Sequence, residues 1–318
     1  MDRRLAQFLA RGALPLSARS LRQSHLILHI GFLKTGSTYL QQQIGTARKD
    51  LEKGGLLFPA TGIGIGVAAG PRAGKTSGHS EFAQMIGQQD WTRMLYLPPL
   101  LAHEARQKAC RRILISAENI SYHHRPDRNP LLRRFLAGFG SVEVVIYLRR
   151  WDDWIESLYK ERLDFGETRS FEAFRGAETW QTDYTTRLDS WERTIGPNAR
   201  LRVFDYDAAR RAEGGLLAQF FRDVLPGIPA PISRTAPRAN PSYNATQAEA
   251  LRAFNLGPLK EAPRQTEALD SFLAGPFAAL EGPRQLLAPA ERAAYLDSFR
   301  PQNAALQQRF GIDLLSPG

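Results

Sequence analysis

The chain has 318 residues, 43% of them hydrophobic and 23% charged, a balance that predicts a soluble globular protein with a full core. Its formal net charge of +10 points to anionic partners, and only seven of its 42 basic residues are lysine. Basic runs interleaved with aromatic residues are absent, which removes nucleic acid from the partners expected.

Met1 to Ser24 is arginine-rich and lacks the apolar core of a secretory signal, so residues 1–24 read as a basic N-terminal extension. Peripheral contact of this segment with an anionic membrane surface is the alternative use. No apolar run approaches the roughly 20 residues of a membrane span. The first buried strand is predicted at Leu26 to Ile30, followed by the loop Gly31-Phe32-Leu33-Lys34-Thr35-Gly36 and a helix opening at Ser37-Thr38. Strand, glycine-bounded loop and helix start form a phosphate cradle: loop N–H groups converge on an anion and the helix dipole favours its charge. Lys34 adds a point charge, and Ser37 and Thr38 add hydroxyls. The spacing approaches the Walker A pattern G-x-x-x-x-G-K-S/T, but Lys34 lies inside the loop rather than after Gly36.

Leu40, Ile44, Ala47 and Leu51 repeat at helical spacing, with Gly54-Gly55 as the stop. Gly62 to Gly78 reads as a surface segment and contains a decoy, in which Ala69 and Gly74-Lys75-Thr76 satisfy a relaxed Walker A pattern with no strand in front. Cys110, the single cysteine, excludes an internal disulfide framework and fits a reducing compartment, the cytoplasm. Ile113 to Ser116 and Val142 to Leu148 are predicted as buried parallel strands, delivering Glu118 and Arg149 to one sheet edge. After Arg149, Asp152 or Asp153 can cap a helix whose apolar face holds Trp154, Ile155 and Leu158; Ser157 lies eight residues after Arg149. A weaker strand at Leu201 to Phe204 runs into Asp205, Tyr206 and Asp207. From about residue 244 the pattern is helical, ending in a helix near Pro289 to Phe310. The elements predict one α/β domain over 25–318: a central parallel sheet flanked by helices, a three-layer sandwich like that of the P-loop NTPases, with a helical C-terminal part. The histidines have no zinc spacing, so no metal is expected.

Lys34-Thr35-Gly36-Ser37-Thr38 resembles the 5′-phosphosulfate loop of sulfotransferases that use 3′-phosphoadenosine 5′-phosphosulfate (PAPS), typically PK(S/T)GTTW, with Leu33 for the proline and Tyr39 for the tryptophan. Arg149, Asp153 and Ser157 fall on the same family's RNPxDxxxS frame, with Arg150 and Trp151 in place of Asn-Pro. The resemblance covers roughly Leu26 to Tyr243. It implies PAPS as co-substrate, held by Lys34, Thr35, Gly36, Ser37 and Thr38 at the phosphosulfate and by Arg149 and Ser157 at the 3′-phosphate. Phe204-Asp205-Tyr206-Asp207 is similar to the family's FYED strand end, which would set Tyr206 against the adenine. The RKGxxGDW segment of the animal cytosolic enzymes has no counterpart, and Arg238 in PRANPSYN is the candidate to stand in for it.

Sulfuryl transfer of this kind needs a fixed cation at the leaving oxygen, assigned to Lys34, and a general base for the acceptor hydroxyl. Glu118 stands where the family presents its base and is the first candidate; His79 is the second, and His123-His124 could reach the same edge. A carbohydrate or glycolipid acceptor is expected by analogy alone. Two other readings stay open: a P-loop kinase or NTPase using Asp205 on Mg²⁺, and a non-catalytic protein binding anionic glycans or lipids.

Overall fold

In the computed structural model, which describes residues 18–63, 78–122, 125–231, 243–257 and 271–316, Leu26 to Ile30 are buried because their strand has no solvent face. That strand, β1 (His25–His29), lies at the centre of five. The others are β2 (Leu56–Leu57), β3 (Arg112–Ser116), β4 (Ser141–Leu148) and β5 (Ala199–Asp205). Their order is β2-β3-β1-β4-β5 and every pairing is parallel. Both faces are covered, which is why β1, β3 and β4 are near-continuous apolar runs rather than alternating ones.

One face carries Leu28, Ile115 and Val144, packed by helices α3 (Ser80–Gly87), α4 (Trp91–Gln107), α5 (Pro130–Leu136) and α8 (Tyr184–Thr194). The other face carries Ile27, Leu114 and Val145, packed by α1 (Ser37–Thr46), α2 (Arg48–Lys53) and α10 (Gly215–Asp223). The architecture is a three-layer α/β sandwich. A third cluster lies beyond the sheet edge, where α6 (Trp151–Asp164) packs Trp154, Ile155 and Leu158 against α7 (Phe171–Ala177) and α11 (Ala245–Leu256). Truncating a residue such as Leu28 in these cores costs about 2–5 kcal/mol.

Register decides what reaches the carboxyl edge of the sheet. His29 pairs with Ser116 on one side and Val145 on the other, so the loop after β1 opens beside Ala117 and Glu118. Strand β4 runs on to Leu148, which pairs with Asp205, so Arg149 and Tyr206 leave the sheet side by side. Tyr206 begins α9 (Tyr206–Arg211), capped by Asp205.

Three local expectations are corrected. The predicted helix through Leu51 is two helices that meet at Ala47; Gly45 and Thr46 are weak helix formers, and the Thr46 hydroxyl bonds back to Gln43 O at 2.8 Å. The C-terminal helix is also two, α12 (Pro289–Asp297) and α13 (Arg300–Phe310), because Pro301 cannot supply an interior N–H but fits a first turn. Neither Asp152 nor Asp153 caps α6: both lie in its first turn, where Arg292 of α12 binds them at 2.6 and 3.1 Å and also reaches Glu156 at 2.8 Å. That network fastens α12 to α6. Among the described residues, no helix is long and apolar enough to cross a membrane.

Candidate functional site

The loop between β1 and α1 is held in a strained form. Lys34 has φ +65, a left-handed conformation that costs a bulky residue of order 1 kcal/mol or more and persists only when its surroundings fix it. They do. The Trp154 indole of α6 donates to Leu33 O at 2.9 Å, Arg149 Nη1 donates to Lys34 O at 3.1 Å, and Thr35 Oγ1 donates to Phe32 O. The backbone N–H of Lys34 hydrogen-bonds the Glu118 carboxyl, and Lys34 Nζ meets Glu161 Oε1 at 3.1 Å. Every polar atom of Lys34 therefore has a partner, and the partners come from the ends of β3 and β4 and from α6.

Gly31 and Gly36 are required by space. A Cβ on Gly31 would collide with Ser37 Oγ, and one on Gly36 would press on Leu216 at 2.7 Å and the Tyr206 ring at 3.2 Å. Gly36, at the N-cap of α1, has no side chain to cap it, which leaves the amides of the first turn open toward the loop. Ser37 is buried and its hydroxyl has no partner among the described residues, while Thr38 is exposed. Arg149 Nε is likewise buried without a partner among the described residues, and the guanidinium lies 5.5 Å from the centroid of the Tyr206 ring. Buried donors left unsatisfied cost about 1–3 kcal/mol each, and both belong to the carboxyl edge of the sheet, where an anionic ligand would satisfy them.

Ser157 shares a face of α6 with Trp154 and Glu161, three and four residues away, and so lies on the side that meets the loop. It is half-buried, with no protein partner among the described residues. The structure thus brings Lys34, Thr35, Gly36, Ser37, Thr38, Glu118, Arg149, Ser157 and Tyr206 to one edge. Arg238 and His123-His124 lie outside the described residues, as does the decoy around Gly74-Lys75-Thr76.

Burial pushes the Glu118 carboxyl up to about 7, helped by the Glu161 charge and opposed by Lys34. The carboxyl is half-buried, and the neighbouring Glu161 charge acts in the same direction as burial. His79 is corrected as a candidate base. It is fully buried: Nδ1 accepts from Ser116 N–H at 3.1 Å and Nε2 donates to Pro59 O at 3.1 Å. Burial lowers it to about 4, so it is a neutral brace between β3 and the chain after β2, with no lone pair free for a substrate proton.

Two participants escaped sequence reasoning. Glu161 follows Ser157 by one helical turn, a spacing that marks it in hindsight. His29, at the end of β1, is fully buried beneath the loop, lowered to about 4 by burial; its Nδ1 meets Ser116 Oγ at 2.9 Å, and that oxygen also accepts from Gln41 Nε2 at 3.1 Å. This chain of bonds ties β1, β3 and α1 together under the cradle. Asp205, the carboxylate that a phosphoryl-transfer site would need, spends Oδ1 on the N–H groups of Asp207 and Ala208 at 2.8 and 3.1 Å. Among the described residues, no group of three or more His, Cys, Asp or Glu side chains could hold a metal ion.

No family model matches the chain, and no solved structure matches it significantly. Over 181 residues, 56% of the chain, it is 29% identical to an uncharacterized protein of Archaeoglobus fulgidus. The matched stretch covers 48% of that protein, so the chain spans about half the length of the relative it resembles.

Proposed function

We propose that the chain is a PAPS-dependent sulfotransferase of the cytoplasm that passes a sulfuryl group to an acceptor hydroxyl, with carbohydrate or glycolipid as the acceptor class. The observation that carries this reading is the convergence on Lys34: the candidate base and the candidate 3′-phosphate arginine both bond to the backbone of the same strained residue. Unpartnered donors at Ser37 and Arg149 and the uncapped start of α1 supply the anion contacts that a phosphosulfate and a 3′-phosphate need.

Bound there, the nucleotide would supply a sulfuryl group whose transfer forms a bond from sulfur to the acceptor oxygen and breaks the one to the phosphate oxygen. The loop amides from Thr35 to Thr38 grip the 5′ end. Lys34 faces the charge that grows on the leaving oxygen. Arg149 and Ser157 take the 3′-phosphate, and Tyr206 flanks the base. Glu118 accepts the acceptor's proton; a carboxyl at about 7 is half-ionised near neutrality, which suits a general base. The phosphoryl-transfer alternative is weakened by the use of Asp205 as a helix cap.

Thermal stabilisation by 3′-phosphoadenosine 5′-phosphate, compared with ATP plus Mg²⁺, tests the assignment. A ligand at a hundredfold excess over Kd adds about 2.7 kcal/mol. Stabilisation by the bisphosphate is expected. A response to ATP–Mg²⁺ alone would overturn the reading in favour of phosphoryl transfer, and no response to either would leave the anionic-glycan alternative. With turnover in hand, the rate should fall as pH drops below about 7, and Glu118→Gln should lose turnover with cofactor affinity kept.

A further inference from the structure

Lys34 carries the loop's point charge, yet its amine is already engaged by an acidic side chain of α6. Its Nζ lies 3.1 Å from Glu161 Oε1, and the two side chains retain only 21% and 33% of their surface. Glu161 cannot follow the loop, because α6 is fixed at several points. Trp154 of the same face donates to Leu33 O, and Arg292 holds Asp152, Asp153 and Glu156 at the other side of the helix. The Lys34 backbone is fixed too, at its carbonyl by Arg149 and at its N–H by Glu118. Only the lysine side chain, with its four-carbon stem, can change partner.

We propose that Glu161 is a positioning residue that competes with the bound anion for Lys34. In the ligand-free protein Glu161 keeps the amine; a terminal anionic group arriving at the loop must draw it off. The ligand thus meets a rival for its strongest cation, and affinity is held below what the cradle alone would give. The consequence for turnover rests on the sulfotransferase reading. The phosphate left after transfer keeps its charge at Lys34, and Glu161 offers the amine an alternative partner, which weakens the hold on the spent nucleotide.

Inorganic pyrophosphate, titrated calorimetrically into the full chain, tests the competition without any assumption about the nucleotide. Glu161→Gln removes the rival and should tighten pyrophosphate binding about two- to fivefold, the span expected for a partly exposed ion pair. Glu161→Asp, which keeps the charge one methylene shorter, should restore most of the wild-type affinity. In a Lys34→Ala background, Glu161→Gln should change nothing further, because the rivalry acts through that amine. A brace that merely holds Lys34 in place gives the opposite sign, so unchanged or weaker binding by Glu161→Gln overturns the proposal. An equal gain in the Lys34→Ala background overturns it as well, since the effect would then be general electrostatics. Failure of the sulfotransferase reading looks different: pyrophosphate responds to Glu161→Gln as described while 3′-phosphoadenosine 5′-phosphate binds no better than pyrophosphate.

Discussion

His79→Gln offers the sharpest test of the buried imidazoles. His29 and His79 both drop from 6.5 to about 4, each by burial, and a drop of that size corresponds to about 3 kcal/mol. Between pH 6.5 and 4 the unfolded chain takes up a proton at each ring that the folded chain refuses, so acid favours unfolding. Glu118 works the other way. The folded chain protonates it at about 7 and the unfolded chain near 4.5, so acidification through that window favours folding, by less than about 3 kcal/mol because the carboxyl is partly solvated. In urea titrations at pH 7 and 4.5, His79→Gln should lower stability at pH 7, where Nδ1 no longer accepts from Ser116. It should also remove roughly 2 kcal/mol from the acid-induced loss that the wild type shows, since pH 4.5 lies just above the folded value of about 4. Carboxylates common to both proteins cancel in that difference. An acid-induced loss equal to the wild type's would refute a neutral, buried His79. Glu118→Gln, measured alongside, should steepen the loss, since the opposing contribution is gone.

Gly31→Ala should abolish anion binding and destabilise the fold by more than about 2 kcal/mol, because the new methyl group collides with Ser37 Oγ at a position with φ +35; calorimetry and urea melts check both. Arg149→Ala should erase any preference for a ligand with a 3′-phosphate over the same ligand without it, and an unchanged preference in competition binding would remove Arg149 from the site. Trp154→Phe should cost about 1 kcal/mol through the lost bond to Leu33 O and should weaken pyrophosphate binding several-fold by loosening the loop. Unaltered pyrophosphate affinity would show that α6 does not fix the loop.

The parts of this fold that could be read from sequence are those with a local cause. Val142 to Leu148 is a buried run with four β-branched residues and is a strand within one residue of the expected bounds. Leu26 to Ile30, with glycines after it, sits where the pattern places it. Strand β2 has two residues, too few for any period, and owes its pairing to Arg112 and Ile113 far along the chain. The site divides in the same way. Gly31, Lys34 and Gly36 announce themselves through spacing, because the chain must turn tightly there. Glu161 and Arg292 matter through what other elements bring to them: Lys34 from the loop after β1 in one case, the carboxylates of α6 in the other. Asp152 and Asp153 show how a local rule loses: both suit a helix cap, but one arginine from α12 offers more than an open amide. For His79, the second candidate base, the local cue is that an ordinary imidazole suits base catalysis; only the fold shows that this one is spent on two backbone groups.

The central place of β1 has a bearing on how the molecule comes into being. The loop is among the first described segments to be synthesised, yet the strands that flank its root arrive much later. His29 finds Ser116 across 87 residues of chain and His25 finds Ser141 across 116. Contacts of such high separation are entropically expensive to close and slow the search for the native state. A nascent chain that has not yet reached β3 exposes Leu26, Ile27 and Leu28 as an unpaired apolar strand, the kind of segment that other chains can capture. The residues that make the cradle precise are therefore also the ones most in need of shelter while the chain is young.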